Sequence, residues 1–145
     1  MSSNIHASCV AFQSKGILLL GSSDSGKSDL ALRLITSYAC QLVADDRVDV
    51  EAKNGQIIAS CPEILKGLLE VRGVGIINYP FISKATVKLA IQLISNKPER
   101  MPEKDFYEIE GVKIPLFKLN PFEISSPAKV LAALKFICDD SKNVG

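Results

Sequence analysis

Apolar and polar positions along the chain change period several times, and each change marks an element. Residues 9–12 and 17–20 are short apolar runs around a turn at 14–16, predicting two strands, the second running directly into a glycine-bounded loop. Over residues 27–38, Leu30, Leu34 and Ile35 fall on one helical face, predicting a helix. Residues 41–44 read as a buried strand that ends in Asp45 and Asp46. Residues 48–52 and 56–60 flank Asn54-Gly55, a dipeptide suited to the positive backbone angles of a tight hairpin turn. A short helix is expected over 62–69, with Pro62 near its first turn, followed by a glycine-broken loop over 70–75. Val87, Leu89, Ile91 and Leu93 alternate with Lys88, Ala90 and Gln92, the period of a strand with one face buried. Residues 96–105 are polar and hold two prolines, predicting a surface loop; 112–119 predict a last strand interrupted by Pro115. Ser126 as cap and Pro127 as first helical residue open a C-terminal helix with an apolar stripe of Val130, Leu131, Leu134 and Ile137, placed to pack on the sheet.

No repeat, low-complexity tract or Pro/Gly/Ser linker divides this sequence, so residues 1–145 are expected to form one domain. Hydrophobic residues are 47% and charged residues 23%, a balance that leaves no tract obliged to stay disordered. Lys and Arg number 17 against 16 acids, so no broad basic field favours nucleic acid or an anionic membrane. The apolar runs are far shorter than the ~20 residues that cross a bilayer, and the start of the chain lacks a basic region followed by an apolar one. A cytoplasmic location without membrane attachment is the expectation. Cys9, Cys40, Cys61 and Cys138 form no C-x-x-C pair and there is one histidine, which argues against a zinc site or a disulfide framework and for reduced core thiols.

The candidate chemistry begins at Gly21-Ser22-Ser23-Asp24-Ser25-Gly26-Lys27-Ser28, which satisfies G-x-x-x-x-G-K-[ST] between an expected strand and an expected helix. Such a loop turns backbone N–H groups inward while the helix presents its positive end to phosphate. Lys27 would reach the outer phosphates of a nucleotide, and the Ser28 hydroxyl would ligate Mg²⁺ shared with it. Asp45 and Asp46 at a strand end could hold a metal ion and accept a proton from an attacking hydroxyl; taken alone they would also suit a turn. His6 is the lone histidine, and near a terminus an exposed residue is the ordinary reading. Glu70 and Arg72 sit beside Gly73 and Gly75, a spacing that fits a ligand approach or a surface ion pair equally.

Ile5-His6, the phosphate loop, residues 43–48 (Val-Ala-Asp-Asp-Arg-Val) and residues 69–78 (Leu-Glu-Val-Arg-Gly-Val-Gly-Ile-Ile-Asn), taken together and in that order, resemble the catalytic domain of HPr kinase/phosphorylase. The resemblance is strongest between Gly21 and Asn78 and weaker in the last third. It implies an α/β phosphate-loop domain with a mixed, twisted central sheet flanked by helices, of the HPr kinase and PEP carboxykinase type. It implies transfer of phosphate from ATP, with Mg²⁺, to a serine of the phosphocarrier HPr or an HPr-like protein. Lys27 would contact phosphate, Ser28 and Glu70 would hold Mg²⁺, and Asp46 or Asp45 would be the base, with His6 beside it. Arg100 falls where the family places a catalytic arginine. Members of the family assemble into oligomers, so self-association is within the scope of the resemblance.

Three departures from the pattern refine the expectation. The family's N-terminal domain is not part of this sequence, the phosphate loop carries fewer glycines, and residues 118–127 (Lys-Leu-Asn-Pro-Phe-Glu-Ile-Ser-Ser-Pro) replace a basic segment tied to phosphorylase activity. A kinase with weak or absent phosphorylase activity is therefore expected. Two rivals use the same loop: a small-metabolite kinase with residues 96–105 as a lid, and a non-catalytic switch in which ATP orders a partner surface. The acceptor-side groups His6, Asp45, Asp46 and Glu70 weigh against the switch.

Overall fold

The structure is a computed structural model that describes residues 2–144. In chain order the elements are β1 (Ser2–Ile5), β2 (Ala7–Phe12), β3 (Lys15–Leu20), α1 (Lys27–Ser37), β4 (Gln41–Ala44), β5 (Val48–Lys53) and β6 (Gln56–Ser60). A 3₁₀ turn (Glu63–Leu65) follows, then β7 (Leu68–Val71), β8 (Gly75–Asn78), β9 (Lys84–Leu93), β10 (Phe106–Ile109), β11 (Val112–Leu119) and α2 (Ser126–Val144).

β9 organises the sheet. β3 runs parallel to it along one edge, while its other edge is shared between β6, antiparallel at Lys84 to Thr86, and β11, parallel at Ala90 to Leu93. From β9 the sheet extends through β6, β5 and β1 on one side and through β3, β2 and β4 on the other. One face carries a first apolar cluster drawn mostly from strands, including Cys9, Leu18, Val43, Val50, Ile57 and Ile114. The opposite face carries a second cluster of Ile17, Leu19, Leu89 and Ile91, covered by Leu30 and Leu34 of α1 and by Val130 and Leu134 of α2. The fold is therefore α/β with a large mixed sheet, and both helices sit on one of its faces. Among the described residues, no helix is long and apolar enough to cross a membrane.

Several expectations change in detail. The alternation over Val87 to Leu93 does form a strand, but a register shift opposite Gly16 and Ile17 leaves Lys88 as an extra residue. Val87 consequently packs in the first cluster while Leu89, Ile91 and Leu93 pack in the second. The helix expected over 62–69 is reduced to the 3₁₀ turn, because Gly67 takes φ +77 and the chain then enters β7. The loop expected over 70–75 is instead the tip of the antiparallel β7–β8 hairpin. Pro115 does not interrupt β11. It lies where the strand changes partner, paired with Phe106 of β10 just before Leu116 begins to pair with β9, so its missing N–H breaks no continuous ladder. In α2, Lys129 N–H bonds the Ser125 carbonyl, making Ser125 the cap; the Ser126 hydroxyl reaches back to the Asn120 carbonyl. The strands β1, β7, β8 and β10 have no counterpart in the sequence reading. The Asn54-Gly55 turn, the polar segment 96–105 and the apolar stripe of α2 match the sequence reading.

Candidate phosphate-binding and phosphotransfer site

The loop of Gly21 to Ser28 leaves the end of β3 and enters α1, whose first intrahelical bond runs from Leu30 N–H to the Gly26 carbonyl. The N–H groups of the first helical turn are therefore free of helix partners and available to an anion. Two glycines make the loop close. A Cβ on Gly21 would lie 2.4 Å from Ser25 Oγ, and Gly26 takes φ +102 with its missing Cβ facing Pro121 Cγ at 2.9 Å. Ser25 Oγ is buried without a hydrogen-bond partner among the described residues. A tight cradle holding an unmatched hydroxyl and free amides fits a phosphate group.

Lys27 is buried, and its Nζ donates to the carbonyls of Gly21 and Ser22, each at 2.8 Å, spanning the loop from inside. Burial holds its pKa below the ordinary lysine value, and the carboxylates of Asp46, Asp45 and Asp24 oppose that shift.

The two adjacent aspartates at the end of β4 have different surroundings. Asp45 is buried and accepts hydrogen bonds from Ser8 Oγ (2.8 Å), Ser28 Oγ (2.7 Å) and Glu70 N–H (3.2 Å). It thereby ties β2, α1 and β7 together beneath the loop. Asp46 sits at φ +70 in a three-residue turn closed by Arg47 N–H to the Asp45 carbonyl, a sparsely populated backbone state for a residue with a side chain. That turn presents a side chain 64% exposed, whose Oδ1 lies 2.6 Å from His6 Nε2. Leu69 is buried in the second cluster, so the strand alternation of β7 sends Glu70 to the other side.

The phosphate loop, Asp46 and Glu70 share one cleft of about 610 Å³, lined by Ser23, Asp24, Lys27, Ser28, Asp46 and Glu70 among others, while Asp45 and His6 touch its lining residues without being part of it. Ser28 and Glu70 are both at its wall, a donor set that suits Mg²⁺, which takes one or two protein oxygens and completes its shell from substrate phosphates and water. Arg72 also lines the cleft, and its guanidinium pairs with the distant Asp24 of the loop, a partner that the Glu70–Arg72 spacing did not indicate. Arg100 is exposed in the segment after β9 and does not line the cleft. Sequence reasoning missed Ser8, a buried hydroxyl in an otherwise apolar strand, and Phe122, an aromatic at the cleft wall. A polar residue within the apolar run of β2 was a usable signal for the first. A second cleft of about 630 Å³ over β1, β5 and β6 contains none of the phosphate-loop residues.

Residues 1–134 match the family described as HPr Serine kinase C-terminal domain. The HPr kinase/phosphorylase of Clostridium novyi (strain NT) is 38% identical over 128 residues, covering 80% of this chain and 41% of that protein. That of Lactobacillus acidophilus is 32% identical over 149 residues, covering 94% of this chain and 44% of the relative. This chain thus spans less than half the length of both. A solved structure described as the Hpr(Ser) kinase/phosphatase from Coxiella burnetii superposes with a TM-score of 0.82 at 27% identity, covering 97% of this chain and 99% of that one. A phosphate loop, a paired aspartate and histidine, and a match along nearly the whole sequence lead to one conclusion: the chain belongs to the HPr serine kinase C-terminal domain family.

Proposed function

We propose that this domain transfers the γ-phosphoryl group of ATP to a serine hydroxyl of the phosphocarrier HPr or an HPr-like protein. The observation that carries this reading is Asp46, which lines the same cleft as the phosphate loop and is paired with His6 behind it. Phosphoryl transfer needs alignment and charge neutralisation more than covalent help, and the cleft supplies both. The loop amides and Lys27 hold the phosphates. Ser28 and Glu70 would hold Mg²⁺, which would supply positive charge to offset that of the phosphates. His6 donates from Nε2 to Asp46 Oδ1, fixing the carboxylate so that its other oxygen takes the serine proton. As that proton leaves, the serine oxygen bonds to phosphorus and the bond to the ADP oxygen breaks. Asp45, already engaged by three donors, holds Ser28 and β7 in register and is not the base.

The reverse reaction is weak or absent in this reading, since Lys118 is the one basic side chain in residues 118–127. The test incubates the protein with Mg²⁺, labelled ATP and the carrier, beside Lys27→Ala and a carrier whose acceptor serine is alanine. Label should reach the carrier only with both groups intact, and phosphoserine-carrier should release phosphate far more slowly than it forms. ATP binding without transfer would refute the kinase assignment, and release as fast as the forward step would refute the directional one.

A further inference from the structure

The phosphate loop accounts for one end of the cleft and leaves its apolar wall without a role. That wall includes Val71, Phe122 and Leu32, the last following Ser28 by one helical turn and so sharing its face. Phe122 is 68% exposed, so its ring is accessible to a ligand in the cleft. Its Cζ lies 3.5 Å from where a Cβ on Gly26 would stand, directly beside the loop.

The ring's backbone is held from several sides. Phe122 N–H donates to Asn120 Oδ1 at 2.9 Å, and the Asn120 amide donates to the carbonyls of Ser95 and Asn96 at 3.2 and 3.3 Å. Arg33 of α1 donates to the carbonyl of Pro121 on one side of Phe122 and to that of Glu123 on the other. α1 begins at the phosphate loop, so Arg33 fixes the backbone carrying Phe122 relative to the site where phosphates would bind. An exposed ring with an anchored backbone loses little freedom on meeting a ligand.

We infer that Phe122 is the stacking platform for the purine base of the nucleotide, with Leu32 as the adjoining apolar surface. This rests on the reading of the loop as a nucleoside-triphosphate site and adds the element that separates a nucleotide from bare polyphosphate. Stacking uses the π-face that every base has, so the platform contributes affinity and orientation, while base identity is left to other groups.

The test measures binding of MgATP and of inorganic tripolyphosphate, by titration calorimetry, to the unaltered protein and to Phe122→Ala and Phe122→Trp. Phe122→Ala should weaken ATP binding about tenfold, leave tripolyphosphate binding unchanged, and Phe122→Trp should restore ATP affinity. Equal affinity for ATP in the unaltered and alanine proteins would overturn the inference. So would an equal loss for both ligands, which would mean that Phe122 only shapes the loop through Gly26. Failure of the unaltered protein to bind tripolyphosphate would instead remove the phosphate site on which the inference stands.

Discussion

Asp45 and Asp46 are sequence neighbours that the fold separates into a buried acceptor and an exposed one, and substitution should separate them as well. Asp46→Asn removes a proton acceptor whose contacts are solvent-facing, so phosphotransfer should fall about 10²- to 10⁴-fold while the urea midpoint stays nearly unchanged. Asp45→Asn presents an amide to a site where Ser8, Ser28 and Glu70 N–H all donate, and should cost about 1–3 kcal/mol of stability in urea denaturation. Equal stability losses for the two variants would contradict the division of roles. The paired aspartates were legible as a candidate site, but their separate roles were not. Adjacent strand residues face opposite ways, yet residues 42–44 are apolar on both sides and do not reveal which side holds the loop. Nor did the sequence show that Ser8 and Ser28 would meet on one carboxylate oxygen. The thiols give a pH prediction at the same scale. Burial raises Cys9 from the ordinary thiol value of 9.0 to about 12 and Cys40 to about 11. The unfolded chain ionises these thiols from pH 9 upward while the folded chain keeps them protonated, so ionisation favours unfolding and stability falls as pH rises above 9. The loss should level off once the folded thiols also titrate. Urea midpoints between pH 8 and 11 should decline, and replacing Cys9 and Cys40 with alanine should flatten the decline.

The β7–β8 hairpin shows where element-level reading fails. Residues 62–69 hold Pro62, Leu65, Leu68 and Leu69, a spacing that resembles a short helix. Tertiary geometry overrides it at Gly67, which adopts φ +77 and whose carbonyl accepts the Tyr79 N–H at 2.8 Å, closing the base of the hairpin. A Cβ there would stand 3.0 Å from Phe81 Cδ1 and 3.2 Å from the Tyr79 carbonyl oxygen. Local spacing does not report such a contact, because Phe81 and Tyr79 lie on the far side of the hairpin. The 54–55 turn, by contrast, was legible, since Asn54 at φ +54 and Gly55 at φ +75 need no distant partner. Gly67→Ala should destabilise the protein by about 1–2 kcal/mol from the left-handed backbone alone. Because β7 carries Glu70 and supplies the N–H that Asp45 accepts, the same substitution should slow phosphotransfer beyond any loss of folded protein. Turnover measured well below the melting temperature would separate the two effects, and an unchanged rate there would show that the hairpin does not position the site.

At the scale of the whole molecule, the question is whether two apolar clusters on opposite faces of a sheet make one cooperative unit. The central strands belong to both. β3 gives Leu18 and Leu20 to the first cluster and Ile17 and Leu19 to the second, while β9 gives Ala85, Val87 and Ala90 to the first and Leu89, Ile91 and Leu93 to the second. Neither cluster can lose its packing without freeing side chains or ladder bonds on which the other depends, so the chain should unfold as a single domain. The molecule carries its own reporters. Cys9 lies in the first cluster and Cys40 in the second, both buried and unpaired. Pulse labelling with a thiol reagent across a urea series, read by peptide mass, should give the same midpoint for Cys9 and Cys40 and the same midpoint as far-ultraviolet circular dichroism. Exposure of Cys40 at lower urea than Cys9 would instead mean that the helices and the phosphate loop detach from a surviving strand core. The phosphate site would then have a stability separate from the sheet that carries it.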